Sequence, residues 1–97
     1  MHQDDVMSTL KDKLPILQSR FRVKSLSVFG SVARGEDKPG SDVDVLVEFA
    51  QAPNFDLFMD LKFYLEELLK TKVDLVTNHA LKPRLRPSIE KEALRVA

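Results

Sequence analysis

The segment from Asp42 to Phe49, DVDVLVEF, limits the possible fold most strongly, because apolar residues recur in it at every second position. A period of two is typical of a β-strand with one buried face. The residues expected on that buried face are Val43, Val45, Val47 and Phe49. Asp42 and Asp44 then lie together on the opposite face. The strand therefore opens with two carboxylates side by side.

Helical and strand patterns alternate along the rest of the chain. The further elements predicted are a helical segment broken near Leu14 by Pro15, a strand at Lys24–Phe29, a helical turn at Ser31–Arg34, a loop at Glu36–Ser41, a helix from an Asn54 or Asp56 cap to about Lys70, a strand at Lys72–Thr77 and a helix from about Pro83 to Leu94. This order indicates an α/β fold with a mixed α+β sheet of three or four strands, on which the helices pack. We expect one domain spanning residues 1–97.

Composition excludes several classes of protein. The chain has no cysteine, so disulfides, thiolate metal sites and a cysteine nucleophile are ruled out. Fifteen basic and fifteen acidic residues cancel, which gives no overall field for direct nucleic-acid or membrane binding, and we expect neither. No apolar run approaches the ~20 residues of a membrane span, and the amino terminus lacks the apolar core of a secretory signal. A cytoplasmic location is the expectation.

Asp42 and Asp44 are the first candidates for chemistry. Residues two apart on a strand are separated by about 6.5 Å and point the same way, so both carboxylates can converge on one small ion. Their repulsion is best offset by a divalent cation, and Mg²⁺ is usually held by one or two carboxylates plus substrate phosphates. Asp74 is the only acidic residue of the third predicted strand and lies near its start. If the two strands are neighbours, the three carboxylates form one cluster.

Such a cluster predicts a catalytic metal site. With Asp42, Asp44 and Asp74 as ligands, one or two Mg²⁺ ions would activate an attacking hydroxyl and neutralise a transferring phosphate. Asp74, which would lie next to only one of two metals, is the candidate to help deprotonate the attacking group.

Gly30 and Ser31 directly follow the first strand and suggest a phosphate site. A glycine lets the backbone approach an anion closely, and the helical turn that follows it offers free N–H groups. Ser31 adds a hydroxyl donor, and Arg34 or Lys38 can add positive charge. Together these groups would hold the triphosphate tail of a nucleotide. The expected catalysis rests on positioning and electrostatics rather than on a covalent intermediate.

The combined pattern of GSVARGE, SDVDVLVEF and KVDLVT resembles the minimal nucleotidyltransferase (MNT) family of the polymerase beta-like superfamily. The family signature is a Gly-Ser pair, a D-x-D pair and a later single Asp, which here are Gly30, Ser31, Asp42, Asp44 and Asp74. The resemblance covers nearly the whole chain. It implies a small nucleotidyltransferase fold and an Mg²⁺-dependent adenylyltransferase that uses ATP as its substrate.

The resemblance also implies a partner. Stand-alone small members of the family are typically antitoxins paired with a HEPN-domain toxin. A protein of this kind would form a hetero-oligomer with the toxin and transfer AMP from ATP to one of its tyrosines, which silences the RNase activity of the toxin.

Two other functions stay open on the sequence. The same chemistry could act on a small molecule such as an aminoglycoside, or on a nucleic-acid end, although 97 residues leave little room for an acceptor-binding domain. Alternatively, the protein could be an antitoxin that neutralises its partner by binding alone, with its aspartates only holding a loop.

Three further features have simple structural interpretations. His79 lies in the loop after the third predicted strand, near the proposed site by topology, but a solvated histidine is the simpler interpretation. The basic run of Lys82, Arg84 and Arg86 could contact phosphate or an acidic partner, or could be a solvated helix start. Tyr64, the only tyrosine, falls on the apolar stripe of its helix and is most simply a core residue.

Overall fold

The computed structural model, which describes residues 2–36, 38 and 41–97, contains four strands and five α-helices. The strands are β1 (Val23–Phe29), β2 (Val43–Phe49), β3 (Val73–Thr77) and β4 (Leu94–Arg95). The helices are α1 (Gln3–Asp12), α2 (Leu14–Arg20), α3 (Gly30–Ala33), α4 (Phe55–Leu69) and α5 (Arg86–Glu92), and a 3-10 turn covers Asn78–Ala80. None of the helices in the described part of the chain is both long and apolar enough to cross a membrane.

The strands form one mixed sheet in the order β3-β2-β1-β4, which confirms the predicted fold class. β2 runs antiparallel to β1 and parallel to β3. Parallel neighbours need a long crossover connection, and α4 provides it here. β2 and β3 therefore begin at the same edge of the sheet, which is also the edge where β1 ends.

One face of the sheet carries the core. Along β2, Val43, Val45 and Val47 are at most 1% exposed, as the alternation predicts, whereas Phe49 is only partly buried. Helices α1, α2 and α4 cover this face. Their buried residues in the same cluster are Val6, Leu10, Leu17, Leu61, Leu65 and Leu69. Because side chains alternate along a strand, Asp44 points away from this core.

The predicted helix boundaries hold for α1, α2 and α4. The break between α1 and α2 falls at Lys13, next to the predicted break at Leu14. Pro15 lies in the first turn of α2, where a helix needs no backbone N–H. The Asn54 side chain caps α4 by accepting a hydrogen bond of 2.8 Å from the Leu57 N–H.

Tyr64 packs in the helical layer. The centroid of its ring lies 5.0 Å from that of Phe21, and the Arg20 guanidinium carbon lies 5.8 Å from the Tyr64 centroid. These residues line an open groove of about 690 Å³, together with Phe63, which is 56% exposed. Tyr64 is therefore only partly buried, at the margin of the core rather than within it.

The carboxy-terminal segment differs from the predicted helix. α5 ends at Glu92 and the chain is extended from Ala93, so that Leu94 lies in β4 and pairs with Val28 of β1. The apolar residues that recur at every fourth position, Leu85 and Ile89 among them, do not form a packing face, because Leu85 is 44% exposed and α5 has no buried residue. The apolar residues of this segment therefore recur with a helical period without being buried on one face of a helix.

Backbone hydrogen bonding explains why this segment becomes a strand. The Val96 N–H donates to the Leu26 oxygen at 2.8 Å, and the Leu26 N–H donates to the Ala97 oxygen at 3.3 Å. The edge of β1 would otherwise leave such backbone groups without partners in the sheet. Pairing with that edge satisfies them and buries Val96.

Helix α4 fixes the start of β3 through Glu66. The Glu66 Oε2 atom accepts a hydrogen bond of 3.0 Å from the Val73 N–H. The oxygen of Lys72 accepts another, also of 3.0 Å, from the Val43 N–H of β2. The peptide group between Lys72 and Val73 is thus bonded at both ends. The position of α4 is thereby coupled to the register of β2 against β3.

We expect Glu66→Ala to lower the free energy of unfolding by about 1–3 kcal/mol, because it leaves the N–H of the buried Val73 without its charged acceptor. Glu66→Gln retains an acceptor oxygen and should lose much less. Urea denaturation measures both, and Glu67→Ala, at the exposed neighbouring position, is the matched control. An unchanged midpoint for Glu66→Ala would mean that solvent satisfies this N–H and that Glu66 does not fix β3.

Candidate active site

The three predicted aspartates lie at one edge of the sheet. Asp44 is the register partner of Asp74 on β3 and of Phe29 on β1, and adjacent strands lie about 4.8 Å apart. Asp42 immediately precedes β2; it and Asp74 are exposed, whereas Asp44 is half-buried. The condition set by the sequence analysis, that the two aspartate-bearing strands are neighbours, is met.

Gly30 leaves the space that the Asp44 carboxylate occupies. Its φ of +72° lies in the left-handed region that L side chains rarely adopt. A Cβ at this position would lie 2.9 Å from the Asp44 Cγ and closer still to Oδ2. The glycine is therefore required twice, by the backbone turn and by the side chain packed against it.

The Asp44 carboxylate is held in an unfavourable environment for its charge. Burial is the main cause that raises the pKa of Asp44 above its ordinary value, followed by the negative charges of Asp74 and Asp42. The Arg34 guanidinium lowers the same pKa, but by less. Burial and like charge both disfavour the ionised form of Asp44. A cation at this edge would offset both effects, because all three carboxylates attract it.

The donor set suits a hard cation, although no finished ligand cage is present. Among residues 2–36, 38 and 41–97, no three His, Cys, Asp or Glu side chains are arranged to hold a metal ion as they stand. The predicted three-carboxylate cluster is therefore only partly assembled: a side-chain hydrogen bond with Asp74 contributes to the raised pKa of Asp44, so these two carboxyl groups lie close together, but the three do not form one ligand set. Exposed carboxylates of like charge repel one another, so Asp42 and Asp74 have no cause to converge unaided. Carboxylates plus substrate phosphates are the usual ligands of Mg²⁺, so the residues fit that ion.

The groups predicted to bind phosphate lie beside Asp44. The turn of α3 begins with Gly30 and the half-buried Ser31, and Arg34 follows it. The Gly30 N–H already donates to Glu92 Oε1 at 3.2 Å. Lys38, the other candidate cation, is exposed, and part of its predicted loop lies outside the described residues.

Arg34 is paired with two glutamates. Its Nε lies 3.0 Å from Glu36 Oε2, and its Nη1 lies 3.1 Å from Glu92 Oε2. Hydrogen bonds to Glu36 and then Glu92 raise the pKa of Arg34 above its already high value. The guanidinium is thus permanently charged and lies close enough to Asp44 to influence the pKa of that carboxyl.

His79 lies away from this edge, which corrects the prediction that it is near the site. It lies two residues beyond the end of β3, whereas Asp74 lies near the start, and a strand of five residues spans roughly 16 Å. His79 instead lines a cavity of about 270 Å³ with Phe49 and Pro53. Within the basic run, Arg86 bonds to Asn78 at 2.7 Å and serves the local structure.

Sequence reasoning missed three polar residues that organise this edge. Glu66 holds the start of β3, and Glu92 contacts Gly30 and Arg34 from the other end of the chain. Thr71 Oγ1 donates to the Ser41 oxygen at 3.4 Å, which ties the residues before β3 to those before β2. Charged residues on amphipathic helices carry no local signal for such contacts, so only the tertiary fold reveals them.

Comparison with known proteins agrees with this geometry. The family model described as "Nucleotidyltransferase domain" matches residues 10–96. Protein adenylyltransferase MntA of Thermococcus cleftensis is 40% identical over 93 residues, which cover 96% of this chain and 94% of that protein. A solved chain provisionally called a minimal nucleotidyltransferase is 36% identical with a TM-score of 0.81, covering 97% and 95% of the two chains.

A more distant structure shares the fold. It belongs to the complex of the tri-AMPylated HEPN toxin of Shewanella oneidensis with an MNT antitoxin, at 19% identity and a TM-score of 0.61, and the match covers 98% of this chain and 68% of that one. The Gly-Ser turn, the D-x-D strand and the third aspartate thus lie together in a chain that matches this family over nearly its whole length. The protein is a nucleotidyltransferase and belongs to the minimal nucleotidyltransferases within that family.

Proposed function

We propose that this protein is the antitoxin of a HEPN/MNT pair and transfers AMP from ATP to a tyrosine of its partner toxin. The observation that carries the proposal is the position of Asp44, between Asp74 on one side and Gly30 on the other. A relative 40% identical is named a protein adenylyltransferase, which supports a protein as the acceptor.

The transfer breaks a phosphoanhydride bond of ATP and forms a phosphoester bond to tyrosine. The tyrosine oxygen bonds to the α-phosphorus of ATP, and the bond from that phosphorus to the oxygen bridging to the β-phosphate breaks. Pyrophosphate leaves with the electron pair, and the phenolic proton passes to a base. Asp74 is the base in this proposal, since it is exposed at the edge where an acceptor can approach.

The chain's own residues would hold the nucleotide around this step. Asp42, Asp44 and Asp74 would hold one or two Mg²⁺ ions, whose positive charge stabilises the transferring phosphate. The Gly30 N–H, the Ser31 hydroxyl and the Arg34 guanidinium would bind the triphosphate. The acceptor would bring its own binding surface. Transfer to a small molecule and neutralisation by binding alone are the alternatives that the following experiment separates.

We expect the double variant Asp42→Asn, Asp44→Asn to lose AMP transfer by about 100-fold or more, since changes that only support a metal ligand already cost about 10–100-fold. Intact mass spectrometry of the partner toxin, incubated with ATP and Mg²⁺, detects each added AMP. Protection of cells from the toxin should be lost together with the transfer.

Asp60→Asn, an exposed change on α4, is the control and should keep both transfer and protection. A double variant that still protects cells and still co-purifies with the toxin would favour binding alone. AMP found on a small molecule, and on no protein, would favour the other alternative.

Two glycine variants test the contact with Asp44. Gly30 and Gly35 have almost the same backbone angle, with φ of +72° and +71°, but a Cβ at Gly35 has no atom within 4 Å. Both Gly→Ala changes carry the cost of a left-handed alanine, about 1–2 kcal/mol. Only Gly30→Ala should also displace Asp44 and abolish AMP transfer. Equal transfer by the two variants would contradict a role for Asp44 in holding the metal.

Asp44→Asn should melt at a higher temperature than the unchanged protein at neutral pH. The pKa of Asp44 in the folded protein is raised from its ordinary value of 3.8. In the pH window just above 3.8, the Asp44 carboxyl group therefore keeps its proton in the folded state but loses it in the unfolded chain. Stability of the unchanged protein therefore falls as the pH rises through that window, and stays lower above it. The advantage of the variant should shrink as the pH is lowered toward 3.8.

Thermal melts across this pH range, with and without Mg²⁺, check the expectation. Mg²⁺ should raise the melting temperature of the unchanged protein more than that of Asp44→Asn, because the ion relieves the repulsion that the variant lacks. Asp60→Asn should show no such pH-dependent gain. Equal melting of Asp44→Asn and the unchanged protein at neutral pH would show that the carboxylate carries no cost.

A further inference from the structure

Glu92 places a negative charge on two groups that the proposed function assigns to phosphate. One of its oxygens, Oε1, accepts from the Gly30 N–H at 3.2 Å and from Arg34 Nη1 at 3.3 Å. The other, Oε2, lies 3.1 Å from Arg34 Nη1. The side chain is only 27% exposed, so the carboxylate lies against the turn and not in open solvent.

A carboxylate and a phosphate oxygen make the same demands on these donors. Both are anionic acceptors, and both take charge-assisted hydrogen bonds from backbone N–H and guanidinium groups. Glu92 and a phosphate cannot both accept from the Gly30 N–H at the same time, because this donor has a single hydrogen. The Asp44 carboxylate also lies against Gly30, at the place where a Cβ would be.

We propose that Glu92 determines the nucleotide affinity of this protein as an internal anion, which occupies the Gly30 N–H and Arg34 until the triphosphate of ATP displaces it. The inference rests on the proposed function for the identity of the ligand. It adds that nucleotide binding and the Glu92 contact exclude each other.

The surroundings of Glu92 allow it to leave without unfolding the core. It is the last residue of α5, a helix with no buried residue. The segment beyond it stays attached through backbone bonds of Val96 and Ala97 to Leu26, and these do not involve the Glu92 side chain. A side-chain rotation therefore suffices to free the Gly30 N–H.

Arg34 also has a reason to remain in place after the exchange. Its Nε stays bonded to Glu36 at 3.0 Å, so the guanidinium keeps one anchor while its Nη1 changes partner. Glu36 and Glu92 thus differ in one respect that an experiment can use. Both neutralise Arg34, but only Glu92 occupies the Gly30 N–H.

The test is calorimetric titration of the full chain with a non-hydrolysable ATP analogue and Mg²⁺. Glu92→Ala should bind about fivefold more tightly than the unchanged protein, which corresponds to ~1 kcal/mol at 1.4 kcal/mol per tenfold. Glu92→Gln can still accept from the Gly30 N–H but has no charge, so its affinity should fall between the two. With the partner toxin present, KM for ATP should fall in the same order while kcat stays unchanged.

Two variants control for charge alone. Glu36→Gln removes a charge beside Arg34 but leaves the Gly30 contact, and Glu90→Gln removes a charge from α5 that is paired with Arg86. Neither variant should increase the affinity for the ATP analogue as much as Glu92→Ala does. An equal gain from Glu36→Gln would overturn the proposal in favour of a general field effect, and so would weaker or unchanged binding by Glu92→Ala.

Failure of the proposed function gives a different result. If Glu92→Ala binds the analogue more tightly but no AMP reaches any protein, the adenylyl transfer is wrong and the role of Glu92 stands. If all variants bind equally while AMP is transferred, the role of Glu92 is wrong and the function stands. If neither the unchanged protein nor Glu92→Ala binds the analogue, both are overturned.

Discussion

The parallel pairing of β2 with β3 creates the site, because it alone brings Asp74 beside Asp44. The two residues are thirty positions apart in the chain, and a shift of one residue would turn one of the carboxylates toward the core. The register is held by the peptide between Lys72 and Val73, which is bonded to β2 through its oxygen and to Glu66 through its N–H. The packing of α4 on the sheet therefore helps to set the distance between Asp44 and Asp74.

The same pairing is electrostatically unfavourable in the isolated protein. Asp44 is partly desolvated and faces two like charges. It also packs against Gly30, where a residue with a Cβ would clash with it. Hydrophobic burial on the other face of β2 offsets this cost, since three valines there are almost completely excluded from solvent. The three valines of that strand serve stability and Asp44 and Glu48 carry charge, and the period of two places the two groups on opposite faces.

Much of this organisation can be predicted from the sequence because it follows local rules. Alternation defines β2, the Asn54 cap defines the start of α4, and the single aspartate of KVDLVT identifies the third carboxylate. The position of the fourth strand escapes prediction because two residues, Leu94 and Arg95, are too few to show a period. The position of His79 is mistaken for a different reason. His79 comes after the end of β3, so it lies about one strand length from Asp74 near the start of that strand. Closeness in the chain to Asp74 therefore does not mean closeness in space.

Tyr64 and the candidate active site lie on opposite faces of the sheet. The only tyrosine of the chain lies among the helices on the buried face of the sheet, with its ring against Phe21, while Asp44 points from the opposite face. The sheet itself stands between the one internal phenol and the carboxylates. If the site transfers AMP to tyrosine as proposed, its own Tyr64 is out of reach within the same chain, and the acceptor has to be presented by another molecule.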